Sequence, residues 1–160
     1  MTVRTALPAD AESIAALVNR AYEVEAFFVA GDRTDAGEVR RLMNEGRFLV
    51  IDRDEPPAGI AGCVFTSVEG DRGYFGMLAV APEAQRRGLG RVMIETCESA
   101  ARGAGCRVMT IKVVNLRADL LRRYERLGYL VTGTEPYVHR PVIQPCHFVD
   151  MEKPLAPLSS

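Results

Sequence analysis

The residues best suited to chemistry lie in one stretch, QRRGLGR, at positions 85–91. It combines two glycines with three positive charges: Gly88, Gly90, Arg86, Arg87 and Arg91. A run with helical spacing follows directly. The N–H groups of a helix's first turn lack partners within the helix, and the helix dipole is positive there, so anions bind at this end. Because glycine has no Cβ, an anion can approach the backbone itself. The stretch therefore predicts a pyrophosphate site.

The distribution of charge along the chain supports an anionic small molecule as the ligand. Residues 85–126 hold ten basic and four acidic side chains, whereas the rest of the chain holds ten basic and seventeen acidic ones. The net charge of the whole chain is −1, which argues against a nucleic-acid partner. A basic segment inside an acidic protein indicates a local anion site, although a solvated helix face would have the same composition.

Two common phosphate-binding motifs are missing from this stretch. The dinucleotide fingerprint GxGxxG fails because Gly90 is followed by Arg91, Val92 and Met93, and the sequence contains no GxxxxGK[ST] loop. Without a P-loop lysine, nucleotide-dependent phosphoryl transfer is excluded. A Gly-x-Gly by itself is also typical of a flexible loop before a helix, so the rest of the chain must decide.

Composition limits the class of protein. The chain has 160 residues and is 48% hydrophobic, which suits one domain, predicted over 1–153, followed by a flexible tail over 154–160. We expect no membrane span, since no apolar run approaches 18 residues, and no signal peptide at the N-terminus. The four cysteines show no CxxC spacing, so we expect reduced thiols, no metal site and a cytoplasmic location.

The periodicity of apolar residues predicts a mixed α/β domain. Strands are expected over 2–6, 47–52, 60–68, 74–80, 107–114, 129–133 and 146–153, and helices over 8–23, 35–46, 88–105 and 115–128. The strands over 60–68 and 74–80 are joined as a hairpin, and the later elements alternate between strand and helix. The QRRGLG stretch thus lies between a strand and a helix.

Two motifs in these elements resemble the GNAT superfamily of N-acyltransferases. The first is Gln85-Arg86-Arg87-Gly88-Leu89-Gly90, preceded by Leu78-Ala79-Val80, which is similar to the family's acyl-CoA signature Gln/Arg-x-x-Gly-x-Gly. The second is the segment 115–129, whose residues in register with the family pattern are Asn115, Ala118, Tyr124, Gly128 and Tyr129. The order of predicted elements also resembles that fold.

The resemblance implies a central mixed sheet of six to seven strands with helices on both faces. Strands 74–80 and 107–114 would splay into a V that holds the pantetheine arm of acetyl-CoA. Leu78 and Val80 would bond the arm through their backbone, much as an added strand would, with Ala79 between them. The pyrophosphate would lie on the N–H groups of residues 86–91. No metal is implied.

The resemblance also implies roles in catalysis. Tyr124 would donate a proton to the departing CoA thiolate, although its spacing with Leu120, Leu121 and Leu127 equally fits a core aromatic. Asn115 would contact the cofactor arm, although a helix cap is its commoner use. The oxyanion donor would be the N–H of Leu78, at a bulge allowed by Gly76.

The general base is left open. The position where many relatives carry glutamate is Tyr74, whose ordinary pKa of about 10 makes it a poor base. The remaining candidates are loop residues: Glu23, Glu25, Asp32, Glu69, Asp71 and His139. We expect the acceptor pocket to be lined by loops 22–34 and 134–147, where the carboxylates of the first loop would suit a cationic amine.

Two functions fit the sequence. The first is an N-acetyltransferase that moves an acetyl group from acetyl-CoA to a primary amine of a small molecule or peptide by direct attack. The alternative is a non-catalytic acyl-CoA-binding or sensing domain of the same fold, which the lack of an obvious base favours. Retention of Asn115 and Tyr124 favours the enzyme. A homodimer is an assembly that the resemblance allows.

Overall fold

The computed structural model describes residues 2–157, which form a seven-stranded mixed sheet and four α-helices. The strands are β1 Val3–Thr5, β2 Arg47–Asp52, β3 Ile60–Glu69, β4 Arg72–Val80, β5 Val108–Val114, β6 Leu130–Pro136 and β7 His147–Pro154. The helices are α1 Ala11–Ala21, α2 Ala36–Leu42, α3 Leu89–Gly103 and α4 Ala118–Arg126. The strand order is β1-β2-β3-β4-β5-β7-β6, which confirms the predicted mixed α/β sheet.

The centre of the sheet is the parallel pair of β4 and β5, and it separates early. The two strands pair only at Arg72 with Val108, Gly73 with Met109 and Tyr74 with Thr110. All other neighbouring strands in the sheet are antiparallel. Beyond Tyr74 the edge of β4 that faces β5 is open, and the predicted V between these strands is confirmed.

A β-bulge in β4 lies where the strands have separated. Phe65 of β3 is opposite Gly76, but Cys63 is opposite Ala79, so one β3 residue faces both Met77 and Leu78. Met77 has a φ of 51°, a left-handed conformation that is uncommon outside glycine. A bulge bends its strand and interrupts the ladder. The bulge therefore turns the C-terminal part of β4 away from regular pairing. A bulge was expected here because of Gly76, but the residue in the left-handed conformation is Met77.

Helices cover both faces of the sheet over the same two strands. Helix α1 and helix α3 each contact β3 and β4. Each has an apolar stripe at helical spacing, which is the face a helix buries in a core. The stripe of α1 is Ala11, Ile14, Ala15, Leu17 and Val18; that of α3 is Leu89, Met93, Ile94, Cys97 and Ala101. This packing anchors the start of α3 beside the open end of β4.

Helix α4 joins the core through a cluster of three aromatic rings. Tyr124 of α4 lies 5.9 Å from Phe75 and 5.8 Å from Tyr129, measured between ring centroids. The hydroxyl of Tyr129 donates a 2.6 Å hydrogen bond to the buried carboxylate of Glu98, which also pairs with Lys153 at 3.1 Å. The cluster ties β4, α3, α4 and β7 together and holds Tyr124 in place.

Helix α4 begins later than the sequence indicated, so Asn115 is not its cap. The helix starts at Ala118 after Arg117, and no side chain caps it. Asn115 instead extends the β5–β7 pairing: its N–H donates to the carbonyl of His147 at 2.9 Å, and its Oδ1 accepts the N–H of His147 at 2.9 Å. The prediction of a cap was wrong because this amide oxygen is used by the neighbouring strand.

Pro154 and Leu155 are more ordered than predicted. Pro154 pairs with Val108, and Leu155 is buried with its N–H bonded to the carbonyl of Arg107 at 2.8 Å. The flexible tail predicted over 154–160 is therefore wrong for its first two residues, because an apolar side chain has a core to enter. Residues 158–160 lie outside the described residues. No helix within residues 2–157 is long and apolar enough to span a membrane.

The bond between Tyr129 and Glu98 leads to a stability prediction. Tyr129→Phe removes one donor from a buried carboxylate while keeping the ring, so we expect a loss of about 1–3 kcal/mol in the free energy of unfolding. Urea denaturation would measure it. An unfolding free energy equal to that of the wild type would show that Lys153 alone satisfies Glu98.

Candidate active site

Two cavities lie at the open V and share part of their walls. The larger has a volume of about 500 Å³ and runs to the start of α3. The smaller has a volume of about 70 Å³ and extends between β4 and β5. Four residues line both: Tyr22, Leu78, Leu120 and Tyr124. A ligand in one cavity can thus meet a ligand in the other at these residues.

The larger cavity ends on free backbone donors at the start of α3. The residue before the helix, Gly88, has a φ of 77°, which glycine adopts without strain, and it has no side chain that could cap the helix. The first intrahelical bond is made by the N–H of Val92 to the carbonyl of Gly88, at 3.1 Å. The preceding N–H groups, of Leu89, Gly90 and Arg91, therefore remain available to an anion.

An arginine from α4 adds charge at the same place. A Cβ on Gly90 would lie 2.8 Å from Nη2 of Arg123, so the absence of a side chain at position 90 lets this guanidinium reach the helix start. Arg123 lines the cavity together with Arg86 and Arg91. The motif did not single out Arg123; the only signal for it was the basic balance of residues 85–126.

Most residues predicted to bind the cofactor line this larger cavity: Leu78, Ala79, Val80, Arg86, Gly88, Leu89, Gly90 and Arg91. Two predicted residues do not. The side chain of Arg87 pairs with Asp54 at 3.1 Å on the exposed surface. Asn115 is bonded to His147, as described above. Their predicted contacts with a cofactor stay predictions.

The edge of β4 beside the cavity offers further backbone groups. In the part of the chain that the structure describes, β5 pairs with β4 no further than Tyr74. The bulge also removes Leu78 from regular pairing with β3. An extended ligand in the V can therefore bond to the backbone as an additional strand would.

Tyr124 is buried, yet its hydroxyl remains open to a ligand. The residue is 7% exposed and lines both cavities. Its hydroxyl makes no hydrogen bond within residues 2–157 and is not sealed from solvent. Burial raises the pKa of Tyr124 to about 12, so the hydroxyl keeps its proton at neutral pH. Tyr124 thus packs in the core and also lines both cavities, and its proton transfer to a thiolate stays a prediction.

The smaller cavity is walled by the two loops predicted to line the acceptor pocket. Tyr22, Glu25 and Arg33 come from the first loop, and Tyr137 and His139 come from the second. The loops are joined by a β-bridge from residue 29 to residue 142. Among residues 2–157, no three His, Cys, Asp or Glu side chains are grouped so as to hold a metal ion.

Of the six candidate bases, only Glu25 and His139 line this cavity. Glu23 and Asp32 lie in a separate surface pocket, and Glu69 and Asp71 lie at the β3–β4 turn, at the end of β4 away from the bulge. Tyr74 is also a candidate base by position, but burial raises the pKa of its hydroxyl. That hydroxyl occupies the space that a Cβ on Gly76 would need.

Glu25 forms ion pairs with two arginines. It is buried, and its Oε2 accepts a 2.9 Å bond from Arg117 while its Oε1 accepts one from Arg140. Both oxygens of this carboxylate are therefore already engaged within the protein. His139 has no such partner, and its pKa is lowered, first by burial and then by the positive charge of Arg33. At neutral pH its imidazole is therefore neutral.

Comparison with known proteins agrees with this geometry. The family model described as "Acetyltransferase (GNAT) family" matches residues 12–129. Among solved structures, the ribosomal-protein-S18-alanine N-acetyltransferase from Escherichia coli superposes with a TM-score of 0.75 at 16% identity, covering 99% of this chain and 96% of that one.

Two further structures superpose similarly. Naa20 from Chaetomium thermophilum, in complex with a bisubstrate analogue, gives a TM-score of 0.76 at 22% identity over 97% of this chain and 87% of its own. The yncA protein from Salmonella typhimurium, with its cofactor acetyl-CoA, gives a TM-score of 0.70 at 23% identity over 99% of this chain and 96% of its own. At such identities the superpositions show the fold. The matched family model covers most of the chain, from α1 to the start of β6, and includes both motifs and the V; the chain therefore belongs to the GNAT family of acetyltransferases.

Proposed function

We propose that the protein transfers an acetyl group from acetyl-CoA to a primary amine of a small molecule or peptide by direct attack. The observation that carries this proposal is the position of Tyr124, whose free hydroxyl lies where the two cavities meet. The larger cavity would hold the donor and the smaller one the acceptor. The reacting atoms would then come together beside this hydroxyl.

The larger cavity suits coenzyme A at both ends. The pyrophosphate would accept bonds from the free N–H groups of Leu89, Gly90 and Arg91, with Arg123 beside them. The pantetheine arm would follow the open edge of β4 past Leu78. The acetyl-CoA bound to the yncA protein from Salmonella typhimurium supports the choice of donor.

The reaction needs two proton movements and one stabilised oxyanion. The nitrogen lone pair of the amine attacks the thioester carbon, and the carbonyl oxygen becomes an oxyanion that the N–H of Leu78 would stabilise. The oxyanion then re-forms the carbonyl as the C–S bond breaks, and the sulfur leaves as a thiolate. Tyr124 would give the thiolate a proton and regain one from solvent. His139 would take the proton that the attacking nitrogen loses, directly or through water.

A non-catalytic acyl-CoA-binding domain would need none of these groups. It would not require a protonated tyrosine at the cavity junction or a neutral histidine in the second cavity. Both features favour an enzyme. We also propose a cytoplasmic location, supported by four cysteines that are all free thiols, three of them buried.

Arg123 provides a test of the donor site. We expect Arg123→Gln to raise the Kd for coenzyme A by about three- to tenfold at low salt, because one phosphate contact is lost. The dependence of the Kd on salt should also weaken. Arg122→Gln is the matched control, because Arg122 is exposed on the same helix and does not line the cavity. Equal calorimetric Kd values for both variants would contradict the placement of the pyrophosphate.

Tyr124 provides the test of catalysis. Tyr124→Phe keeps the ring packing and removes the hydroxyl, so we expect kcat for the best amine to fall on the order of 10²-fold, the low end for general acid catalysis. Acetyl-CoA affinity and the melting temperature should hardly change. Tyr129→Phe is the opposite control, with lowered stability and nearly unchanged kcat. Normal turnover by Tyr124→Phe would leave Tyr124 a packing residue.

His139 provides a pH test. A base acts when it is neutral, so the wild-type rate should fall as the pH drops through the pKa of His139, which lies below its ordinary value. His139→Gln should lose this limb, and its kcat at neutral pH should fall by about 10²-fold. The only other histidine, His147, does not line the cavity and makes its bonds through its backbone, so His147→Gln is the control. An unchanged limb in His139→Gln would exclude His139 as the base.

A further inference from the structure

The smaller cavity is lined by three formally charged side chains: Glu25, Arg33 and Lys112. Their partners decide what charge an acceptor meets there. If the carboxylate were free, the cavity would favour a purely cationic amine, as the sequence suggested for the first loop. If a cation is free, the cavity favours an acceptor with a negative group of its own.

The carboxylate of Glu25 is neutralised within the protein. Both of its oxygens accept bonds from guanidinium groups, those of Arg117 and Arg140. The guanidinium of Arg117 also pairs with Asp119, with 3.2 Å between Nε and Oδ1. The cluster therefore contains two carboxylates and two guanidinium groups. Arg140 donates in addition to the hydroxyl of Tyr137 at 3.1 Å. The cluster therefore offers an acceptor no net negative charge.

Lys112 is neutralised as well. Its Nζ lies 2.7 Å from Oε2 of Glu135, and both side chains are partly exposed. Lys112 lies on β5 and Glu135 on β6, on either side of β7, and the pair needs no ligand to balance it. It leaves Arg33 as the remaining charge of the cavity.

Arg33 is largely buried and poorly partnered. Its side chain is 13% exposed, and its closest carboxylate oxygen, Oε1 of Glu38, lies 3.8 Å from Nη1. That distance is too long for a hydrogen bond. The same oxygen already accepts a 2.6 Å hydrogen bond from the hydroxyl of Thr34. Within residues 2–157 the guanidinium of Arg33 makes no hydrogen bond, although a guanidinium has five N–H donors.

The contacts of Arg33 place it at the cavity and not merely on a surface loop. Its guanidinium carbon lies 5.8 Å from the centre of the Tyr22 ring, which lines both cavities. Its positive charge acts on the pKa of His139 and of Tyr74, which line the smaller cavity with it. Its unbonded N–H groups are not sealed from solvent, and a planar carboxylate would bind two of them with parallel, charge-assisted bonds.

We propose that Arg33 binds a carboxylate of the acceptor, so that the preferred substrate is a small amine that carries its own carboxylate, of the amino-acid type. This inference rests on the proposed function and specifies its acceptor. The cavity volume of about 70 Å³ favours a small molecule over a folded protein surface. The carboxylate would be held on Arg33 while the amine faces His139 and the junction with the larger cavity.

The test compares matched acceptors. Release of free CoA from acetyl-CoA is measured with a panel of amino acids and with their carboxamides, which keep the amine and lose the negative charge. We expect the wild type to prefer the free acids by at least about tenfold in kcat/KM, because the carboxamide leaves the guanidinium without a charged partner. Arg33→Gln should abolish the preference, and Arg33→Lys should restore part of it.

The control is Arg41→Gln, since Arg41 is exposed and pairs with Glu38 from the solvent side without lining the cavity. It should keep the wild-type preference. Equal use of acids and carboxamides by the wild type would overturn the role of Arg33 and leave the acetyltransferase proposal standing.

A wild type that binds acetyl-CoA but acetylates neither class would contradict the proposed function instead. Calorimetry of the same amino acids with the CoA complex then decides on Arg33. Weaker binding by Arg33→Gln than by the wild type would support the carboxylate site, and equal affinities or no binding by either would overturn it.

Discussion

The separation of β4 from β5 after Tyr74 is the constraint on which the rest of the site depends. Parallel strands normally continue their ladder, and here it ends after three residue pairs. The bulge at Met77 and Leu78 diverts β4, and its left-handed residue, Met77, is buried. Without this separation neither cavity would exist, and Tyr124 would pack against a closed sheet.

The two cavities differ in how they treat charge. The larger one gathers uncompensated positive groups, namely the free amides at the start of α3 and the arginine that α4 brings beside Gly90. The smaller one removes charge by pairing it internally, through Glu25 with its two arginines and Lys112 with Glu135. Arg33 is the exception, because within residues 2–157 its guanidinium makes no hydrogen bond and its nearest carboxylate oxygen is 3.8 Å away.

The aromatic cluster connects stability with chemistry. Tyr129 and Tyr124 are neighbouring rings, but the hydroxyl of Tyr129 is bonded to Glu98, whereas that of Tyr124 makes no hydrogen bond to residues 2–157. A protein that only needed packing at position 124 could use phenylalanine there. A hydroxyl kept neutral by burial and left without a protein partner is what a group needs if it is to donate to a ligand.

Local sequence determined the elements and one end of the site. Periodicity located the strands and helices to within a few residues, and the QRRGLG stretch located the start of α3, because helix ends and glycine conformation depend on neighbouring residues. Local sequence could not determine which partners Asn115 bonds, whether Pro154 and Leu155 are ordered, or which of the six candidate bases lies in the cavity. Each of these depends on a partner distant in sequence. Glu25 finds Arg117 and Arg140 about a hundred residues away, and Arg123 meets Gly90 only when α4 packs beside α3. Whether a charged side chain is a catalyst, a binding group or one half of an ion pair was decided by tertiary structure alone, since ion pairing depends on distance in space.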